Sequence, residues 1–493
     1  MSPHQYVACD LGAESGRIML GTLADHRLTV EEIHRFPNGP VVLGDTLRWD
    51  VLRLFDEIKL GLRKVAARGA PAASMSTDAW GVDYVLLRDD EPFLTAPYHY
   101  RDARTDGALE RAFARVPAGT IFEETGAQFM AHNTLFQLLV DREHRREILE
   151  LSDRFLGIAD YFNYLFSGVA RAEESYASTT QLWNPRQRAW SRSLIDDFGL
   201  PARIFPEVVP SGTVLGPMTA RAAAEVGLPG IQVIASCSHD TGAAVAAVPA
   251  EGGAWAYLSS GTWSLIGIEL PEPLITKKVR ALNITNEIGY GHSIRFLKIT
   301  IGLWIVQECR RAWAQAGEDY SYARLAEMAD QGGPSKSLID PTAPQFAKPG
   351  EMPRKVADYC RQTGQPVPRT AGETVRCAFE SLALLYRLRL EELTDATGRK
   401  IDRLHVVGGG SQGALLSQLT ANAMGLPVLC GPVEATAIGN LLVQAMALGH
   451  LRSHTELRRV VRESFPIVTY QPRDEELWRP AYDRFRGLVN REG

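Results

Sequence analysis

The chain repeats its own beginning. Residues 7–23 read VACDLGAESGRIMLGTL, and residues 252–270 read GGAWAYLSSGTWSLIGIEL. Each is an apolar strand, a tight turn of small residues and a second apolar strand, the pattern of a β-hairpin. A hairpin heading each half restricts the chain to two related α/β domains facing a cleft. The length agrees, because single cores stop growing beyond about 250–300 residues and this chain has 493. Pro249 and the glycines after it interrupt the pattern, which sets the expected boundary at 247–251, with domains 1–246 and 247–493.

Within the first half, YVACDLG, GRIMLGTLA and LTVEEIHRF read as three antiparallel strands. VLRLFDEIKLGLRKVAA has apolar residues at helical spacing, and ASMSTDAWGVDYVLL returns to strand. Helices are expected to dominate residues 104–205, where DYFNYLFSG and SLIDDFG both end on the glycine that commonly stops a helix. In the second half, a long helical pattern from Gly372 to Gly398 leads into a strand and a glycine-rich loop, RLHVVGGG.

Composition narrows the class of function. Hydrophobic residues make up 45% and charged ones 23%, an ordinary globular balance. A net charge of −5 without a dense Lys/Arg block gives no nucleic-acid surface. No apolar run approaches the ~18 residues of a membrane span, and MSPHQYVACDLG lacks the basic and apolar regions of a secretory leader. A cytoplasmic protein is expected. None of the six cysteines forms a C-x-x-C; Cys360 and Cys377 are the only close pair, and free buried thiols are expected throughout.

Three loops carry chemistry. In CDLGAESGR, Asp10 ends a strand, Gly12 and Gly16 bracket a turn whose N–H groups suit an anion, and Arg17 adds a permanent charge. Glu14 must point outward if phosphate is held there. The second turn offers the hydroxyls of Ser259, Ser260 and Thr262 around Gly261. Two such hairpins suit a polyphosphate. The third loop, VVGGGSQG, matches G-x-G-x-x-G through Gly408, Gly410 and Gly413, which invites an NAD-dependent dehydrogenase. That reading weakens because the next strand, LPVLC, does not end on the acid that would hold a ribose; Glu434 lies beyond it. The glycines better suit close approach to a nucleotide's adenosine or α-phosphate. A fourth stretch, IASCSHDTGAAVA, puts Asp240 at a strand-to-helix turn, where an acid either caps the helix or does chemistry.

Taken together, these stretches resemble the FGGY carbohydrate kinases, with two actin-like, ribonuclease-H-like domains around a central catalytic cleft. The likeness runs through DLGAESGR, TDAWGVDYVLL, YRDART, HNTLFQL, DYFNYLFSG, SHDT, YLSSGTWSLIG, NITNE, LKITIGLWIVQ, FESLALLY, VVGGGSQ and GPVEATAIGN, in family order. It implies transfer of the ATP γ-phosphoryl group to a sugar hydroxyl, with Mg²⁺ accompanying ATP. The motif set is most similar to members that phosphorylate the 1-hydroxyl of L-rhamnulose; L-fuculose and L-xylulose are the alternatives. Carried over by position, Asp240 is the catalytic base, and His239, Thr241 and Gly81 lie at the sugar. Ala13, Glu14, Ser15, Gly16, Arg17, Thr262, Gln307 and Gly410 contact ATP. Asp10 suits a water-mediated Mg²⁺ contact. Asp83, Asn133, Gln137, Asp160, Tyr161 and Trp80 are weaker sugar-side candidates, each equally able to satisfy buried groups.

The sequence departs from the family at one place. Relatives carry Asn after the Lys of the LK-N-x-x-GLW motif, where it contacts the sugar; here Lys298 is followed by Ile299 and Thr300. Thr300 takes over the contact only through a local shift. The expected partners are a ketose and ATP, with a monomer or homodimer as the assembly. A non-catalytic sugar-sensing relative would lack the acid or add a DNA-binding extension, and this chain has Asp240 and no such extension.

Overall fold

A computed structural model of the chain describes residues 3–69, 71–89 and 91–489. It contains two compact units. Unit 1 comprises Met1–Pro249, Glu269–Phe296 and Ala435–Phe465; unit 2 comprises Ala250–Ile268, Leu297–Glu434 and Pro466–Gly493. The first break falls at Pro249, and two later segments return to unit 1.

The six-stranded sheet of unit 1 is built from β1 (His4–Leu11), β2 (Ser15–Ala24), β3 (Arg27–Pro37), β4 (Ala72–Ala79), β5 (Thr213–Pro217) and β6 (Gln232–Ala235), in the order β5-β6-β4-β1-β2-β3. β1, β2 and β3 form the expected antiparallel meander. β4 joins β1 in parallel, β6 joins β4 in parallel, and β5 is antiparallel to β6. The second sheet has seven strands: β7 (Trp255–Ser260), β8 (Trp263–Leu270), β9 (Ile294–Ile301), β10 (Arg403–Val407), β11 (Val428–Cys430) and β12 (Val468–Tyr470) run in the order β9-β8-β7-β10-β11-β12, and Thr285–Ile288 pairs outside β9. Again a hairpin opens the sheet, two strands follow in parallel and a last one is antiparallel. The two hairpins of the sequence thus occupy the same place in two similar sheets.

The helices that frame the site are α1 (Val51–Ala67), α2 (Ile158–Ser167), α3 (Asp240–Ala246), α4 (Trp304–Gln315), α5 (Ala371–Thr397), α6 (Ala414–Met424) and α7 (Ala435–Ala447). α1 begins where the Asp50 side chain accepts from Arg53 N, and it buries Val51, Leu54, Ile58, Leu62 and Val65, a single stripe at helical spacing. α2 stops at Gly168 in the left-handed region, φ 73°. Both pack on one face of the unit 1 sheet, with Val7, Cys9 and Leu11 of β1 beneath them. Side chains alternate along a strand, so Tyr6 and Ala8 face the other side, in a cluster with Ala243 and Ala246 of α3 and Ile438, Leu441 and Leu442 of α7.

That second face explains why Ala435–Phe465 belongs to unit 1: α7 covers the sheet that the first 240 residues leave half-dressed. The run TDAWGVDYVLL also differs from expectation. β4 ends at Ala79, and Tyr84–Leu87 pairs instead with Arg154–Gly157. Between them Val82 sits at φ 66°, which is strained for a β-branched residue and breaks the strand.

α3 and α7 touch closely because both are lined with small residues. A Cβ placed on Gly439 would stand 1.8 Å from the carbonyl oxygen of Ala243. Gly439→Ala is therefore expected to push the helices apart and cost about 1–3 kcal/mol, read as a lower urea midpoint with an unchanged m-value.

Candidate active site

Alternation sends Asp10, like Tyr6 and Ala8, to the α3/α7 face of the sheet. Asp10 lies opposite Arg17 in the β1–β2 register and opposite Asp78 in the β1–β4 register. The Arg17 guanidinium reaches Asp10 Oδ2 at 2.5 Å. Asn440 of α7 donates to Asp78 Oδ2 at 2.5 Å. Asp78 Oδ1 is buried without a hydrogen-bond donor among the described residues. Burial, and then the neighbouring charge of Asp10, hold the Asp78 carboxyl well above the usual range.

Asp240 is the third acid. It is the first residue of α3, with His239 at the N-cap. Its Oδ1 accepts from Thr241 N at 2.5 Å and from Thr241 Oγ1 at 3.1 Å. The side chain is 29% exposed, which leaves the carboxylate reachable although protein surrounds most of it. Those surroundings, followed by the charge of Asp10, raise its pKa to about 7. A carboxylate tuned near neutrality is suited to take a proton from a hydroxyl.

The loop that presents Asp240 is held from below. Ala79 N donates to Ser238 O at 2.9 Å, tying the loop to the end of β4. Ser238 N donates to Glu173 Oε2 at 2.9 Å, and Ser238 Oγ donates to Asp160 Oδ1 at 2.6 Å. Ser175 Oγ donates to Glu173 and accepts from His239 N at 3.1 Å. Burial raises Glu173 to about 7 and lifts Asp160 well above its ordinary range. Asp160 thus braces the loop that presents Asp240. His239 itself is 7% exposed, with Arg295 at 3.0 Å from Nδ1 and Asp240 Oδ1 at 3.4 Å from Nε2.

The first hairpin turn is closed by Gly12 N donating to Ser15 O at 2.9 Å. Asn38 braces it, its side chain donating to Gly12 O at 2.8 Å and its N–H to Glu14 O at 3.0 Å. Glu14 is exposed, Ala13, Ser15 and Arg17 are half-buried, and Gly16 is buried. A Cβ on Gly16 would meet the Phe36 ring at 2.3 Å, so glycine here serves packing.

Gly81 and its neighbours also lie in unit 1. Gly81 is buried against the Thr179 side chain. Thr179 Oγ1 accepts from Val82 N at 3.2 Å, and Val82 O accepts from Thr134 Oγ1 at 2.6 Å, which holds the strained residue in place. Asp83 accepts from Trp49, Trp80, Tyr100 N and Gln137. Asn133 donates to Gln128 O and Gln181. Trp80 packs on Trp49 with ring centroids 3.9 Å apart, and Tyr161 is buried. Asp83, Asn133 and Trp80 therefore satisfy buried groups.

In unit 2, Thr262, Gln307 and Gly410 gather about one turn. Gly302 and Leu303 donate to Thr262 O and Gly261 O at 3.1 and 2.9 Å, which seats α4, and with it Gln307, against the hairpin. A Cβ on Gly302 would stand 2.6 Å from Gly261 O, and one on Gly410 would stand 2.1 Å from Ser260 Oγ. Both glycines are required by these approaches. Tyr386 of α5 and Ser264 share a hydrogen bond at 2.7 Å behind the turn. Thr300, at the end of β9, is buried, and its Oγ1 has no partner among the described residues. β9 runs unbroken from Ile294 to Ile301, so Thr300 and Ile299 face opposite sides. Burial lowers the neighbouring Lys298 to about 8.

All six cysteines are free and buried. No group of three His, Cys, Asp or Glu side chains able to hold a metal occurs among the described residues. Among those residues, no helix is long and apolar enough to cross a membrane.

Sequence reasoning passed over Asp78, Asn440, Glu173, Glu287 and Arg295. The signal for Asp78 was present: Ser74, Ser76 and Asp78 alternate with Met75, Thr77 and Ala79, an unusual polar stripe on a buried strand.

In unit 1 an acid at a strand-to-helix turn lies near a second pair of acids at strand ends, and comparison with known proteins gives the class. Residues 50–247 match the N-terminal domain, and residues 256–448 the C-terminal domain, of the FGGY family of carbohydrate kinases. The chain belongs to this family and is a sugar kinase, an enzyme that moves a phosphoryl group from ATP to a sugar. It is 44% identical to a rhamnulokinase of Bacteroides thetaiotaomicron over 98% of this chain and 99% of that protein. It is 39% identical to a rhamnulokinase of Bacillus subtilis over 95% of this chain and 96% of that one. Among solved structures, gluconate kinase from Lactobacillus acidophilus superposes with a TM-score of 0.82 over 99% of this chain and 98% of that chain at 15% identity, which establishes the shared fold.

Were Asp240 to accept the hydroxyl proton, it would act deprotonated, and kcat/KM would rise with pH up to about 7 and level off above it. Since Asp10 raises the Asp240 pKa, Asp10→Asn is expected to shift this acid limb to lower pH whatever it does to the plateau. A pH–rate series on both proteins checks this.

Proposed function

We propose that the chain phosphorylates the 1-hydroxyl of L-rhamnulose with ATP, with Asp240 as the base. The carrying observation is Asp240 itself: Thr241 loads Oδ1, no described residue donates to Oδ2, and the pKa stands near neutrality. Phosphoryl transfer asks little covalent chemistry of a protein beyond in-line positioning, neutralised charge and an acceptor for the hydroxyl proton. The two rhamnulokinases, similar over nearly their full lengths, support the choice of sugar.

The roles divide by residue. Gly81, His239 and Thr241 contact the sugar; Thr300 does not take over the contact at Ile299, because β9 keeps the two on opposite faces. Ala13, Glu14, Ser15, Gly16 and Arg17 of the first turn, with Thr262, Gln307 and Gly410, contact ATP, and for Glu14 that contact is through the backbone because its side chain points to solvent. Asp10 holds the magnesium that accompanies ATP, through water. The fit is chemical: Asp10 and Asp78 present hard carboxylate oxygens at adjacent strand ends, and Asp78 Oδ1 has no described donor. When bound, the metal neutralises charge on the transferring phosphates. Residues 1–246, joined in unit 1 by Glu269–Phe296 and Ala435–Phe465, form the sugar-binding domain with the first phosphate turn, and the rest of 247–493 the ATP-binding domain, in a cytoplasmic monomer or homodimer.

Ile299 is where discrimination loosens. An aliphatic side chain leaves no polar group unpaired when a sugar lacks the matching hydroxyl, so rival ketoses lose less. Two measurements test this reading. Asp240→Asn is expected to lower kcat by about a hundred- to ten-thousand-fold while calorimetric ATP affinity stays nearly unchanged; loss of both would make the residue structural. A coupled ADP-release assay over L-rhamnulose, L-fuculose, L-xylulose and L-ribulose is expected to favour L-rhamnulose. Ile299→Asn should widen its lead by about 0.5–1.5 kcal/mol, one hydrogen bond's worth. If no ketose elicits ADP release, the assignment fails.

A further inference from the structure

Behind His239 lies a group that phosphoryl transfer does not by itself require. Arg295 is fully buried, 0% exposed, on β9. Its Nε donates to Ile288 O at 3.1 Å, and one terminal nitrogen lies 2.9 Å from Glu287 Oε2 and 3.0 Å from His239 Nδ1. Glu287 is 3% exposed, and its Oε2 lies 3.5 Å from the same Nδ1. On the far side of the ring, Nε2 faces Asp240 Oδ1 at 3.4 Å.

Guanidinium nitrogens only donate, and a neutral imidazole has one donor and one acceptor nitrogen. We propose that Arg295 is a positioning residue that fixes the tautomer of His239: by donating to Nδ1 it leaves the ring proton on Nε2, facing the Asp240 carboxylate. Glu287 supplies the charge that makes a buried guanidinium tolerable there. The consequence rests on Asp240 being the base. With Nε2–H and Thr241 both on the Oδ1 side, Oδ2 is the oxygen left to take the hydroxyl proton. Burial and the adjacent Arg295 also depress the His239 pKa well below its ordinary value, so the ring does not compete as an imidazolium.

Long-range ¹H–¹⁵N spectra of the full chain labelled at histidine decide the matter without substrate, with His239→Asn identifying the signals of this ring. The wild type is expected to show neutral His239 protonated at Nε2 at pH 7. In Arg295→Met, Nδ1 is left beside Glu287, an acceptor, so the proton is expected to move to Nδ1; kcat should fall about ten- to a hundred-fold. Arg295→Lys, which keeps a donor and the charge, should restore part of both. If Arg295→Met does not fold because Glu287 is left unpaired, Arg295→Met/Glu287→Leu removes both buried charges; with no acceptor left at Nδ1 and Asp240 still at Nε2, the proton is expected to stay on Nε2, and a proton on Nδ1 there would overturn the proposal. A wild-type ring protonated at Nδ1, or at both nitrogens, overturns the proposal, and so does a folded Arg295→Met with tautomer and kcat unchanged. Absence of ADP release with every ketose would sink the kinase reading and leave the tautomer result standing.

Discussion

Three carboxylates, Asp10, Asp78 and Asp240, crowd one face of a single sheet, and their mutual repulsion shapes what surrounds them. Arg17 takes the first and Asn440 the second, while the third keeps one oxygen without a described donor. Nearby like charges and burial both favour the protonated form of an acid. Asp240 therefore obtains a near-neutral pKa from its surroundings rather than from any special chemistry of its own. The same crowding makes the face attractive to cations.

Around this cluster the protein spends much of its buried polarity on holding one loop still. Glu173 and Asp160 clamp Ser238, Ser175 clamps His239, and Arg295 meets the ring from behind. Each of these groups is costly to bury alone and is kept because another satisfies it. A base displaced by an ångström loses much of its effect, so the rigidity belongs to the chemistry as much as to stability. In unit 2 the corresponding work is done by close backbone approach, with Gly302 and Gly410 pressed against the second hairpin turn.

Much of this was legible in the sequence. The hairpins were readable because strand alternation and turn composition are local signals, and the acid in SHDT because nothing else charged surrounds it. Asp78 was not read, although its strand was, since the face it points to depends on which partner β4 chooses. Glu287 and Arg295 were invisible for a similar reason: their distance from His239 in sequence is bridged only by the fold. Val82 shows a third kind of miss. VDYVLL looks like the continuation of a strand, and only the hydrogen bonds from Thr134 and to Thr179 reveal why a valine is held in the left-handed region.

The assignment of α7 to unit 1 carries a consequence for biogenesis. A ribosome releases α3 and the whole first sheet long before Ala435 emerges, about 190 residues later. At roughly 5–20 residues per second, that is a delay on the order of 10–40 s. Throughout it, Tyr6, Ala8 and Met19 lack the helix that finally covers them. The nascent chain thus carries an incompletely covered apolar sheet face through most of its synthesis, and truncation between α3 and α7 leaves α3 as the helix on it.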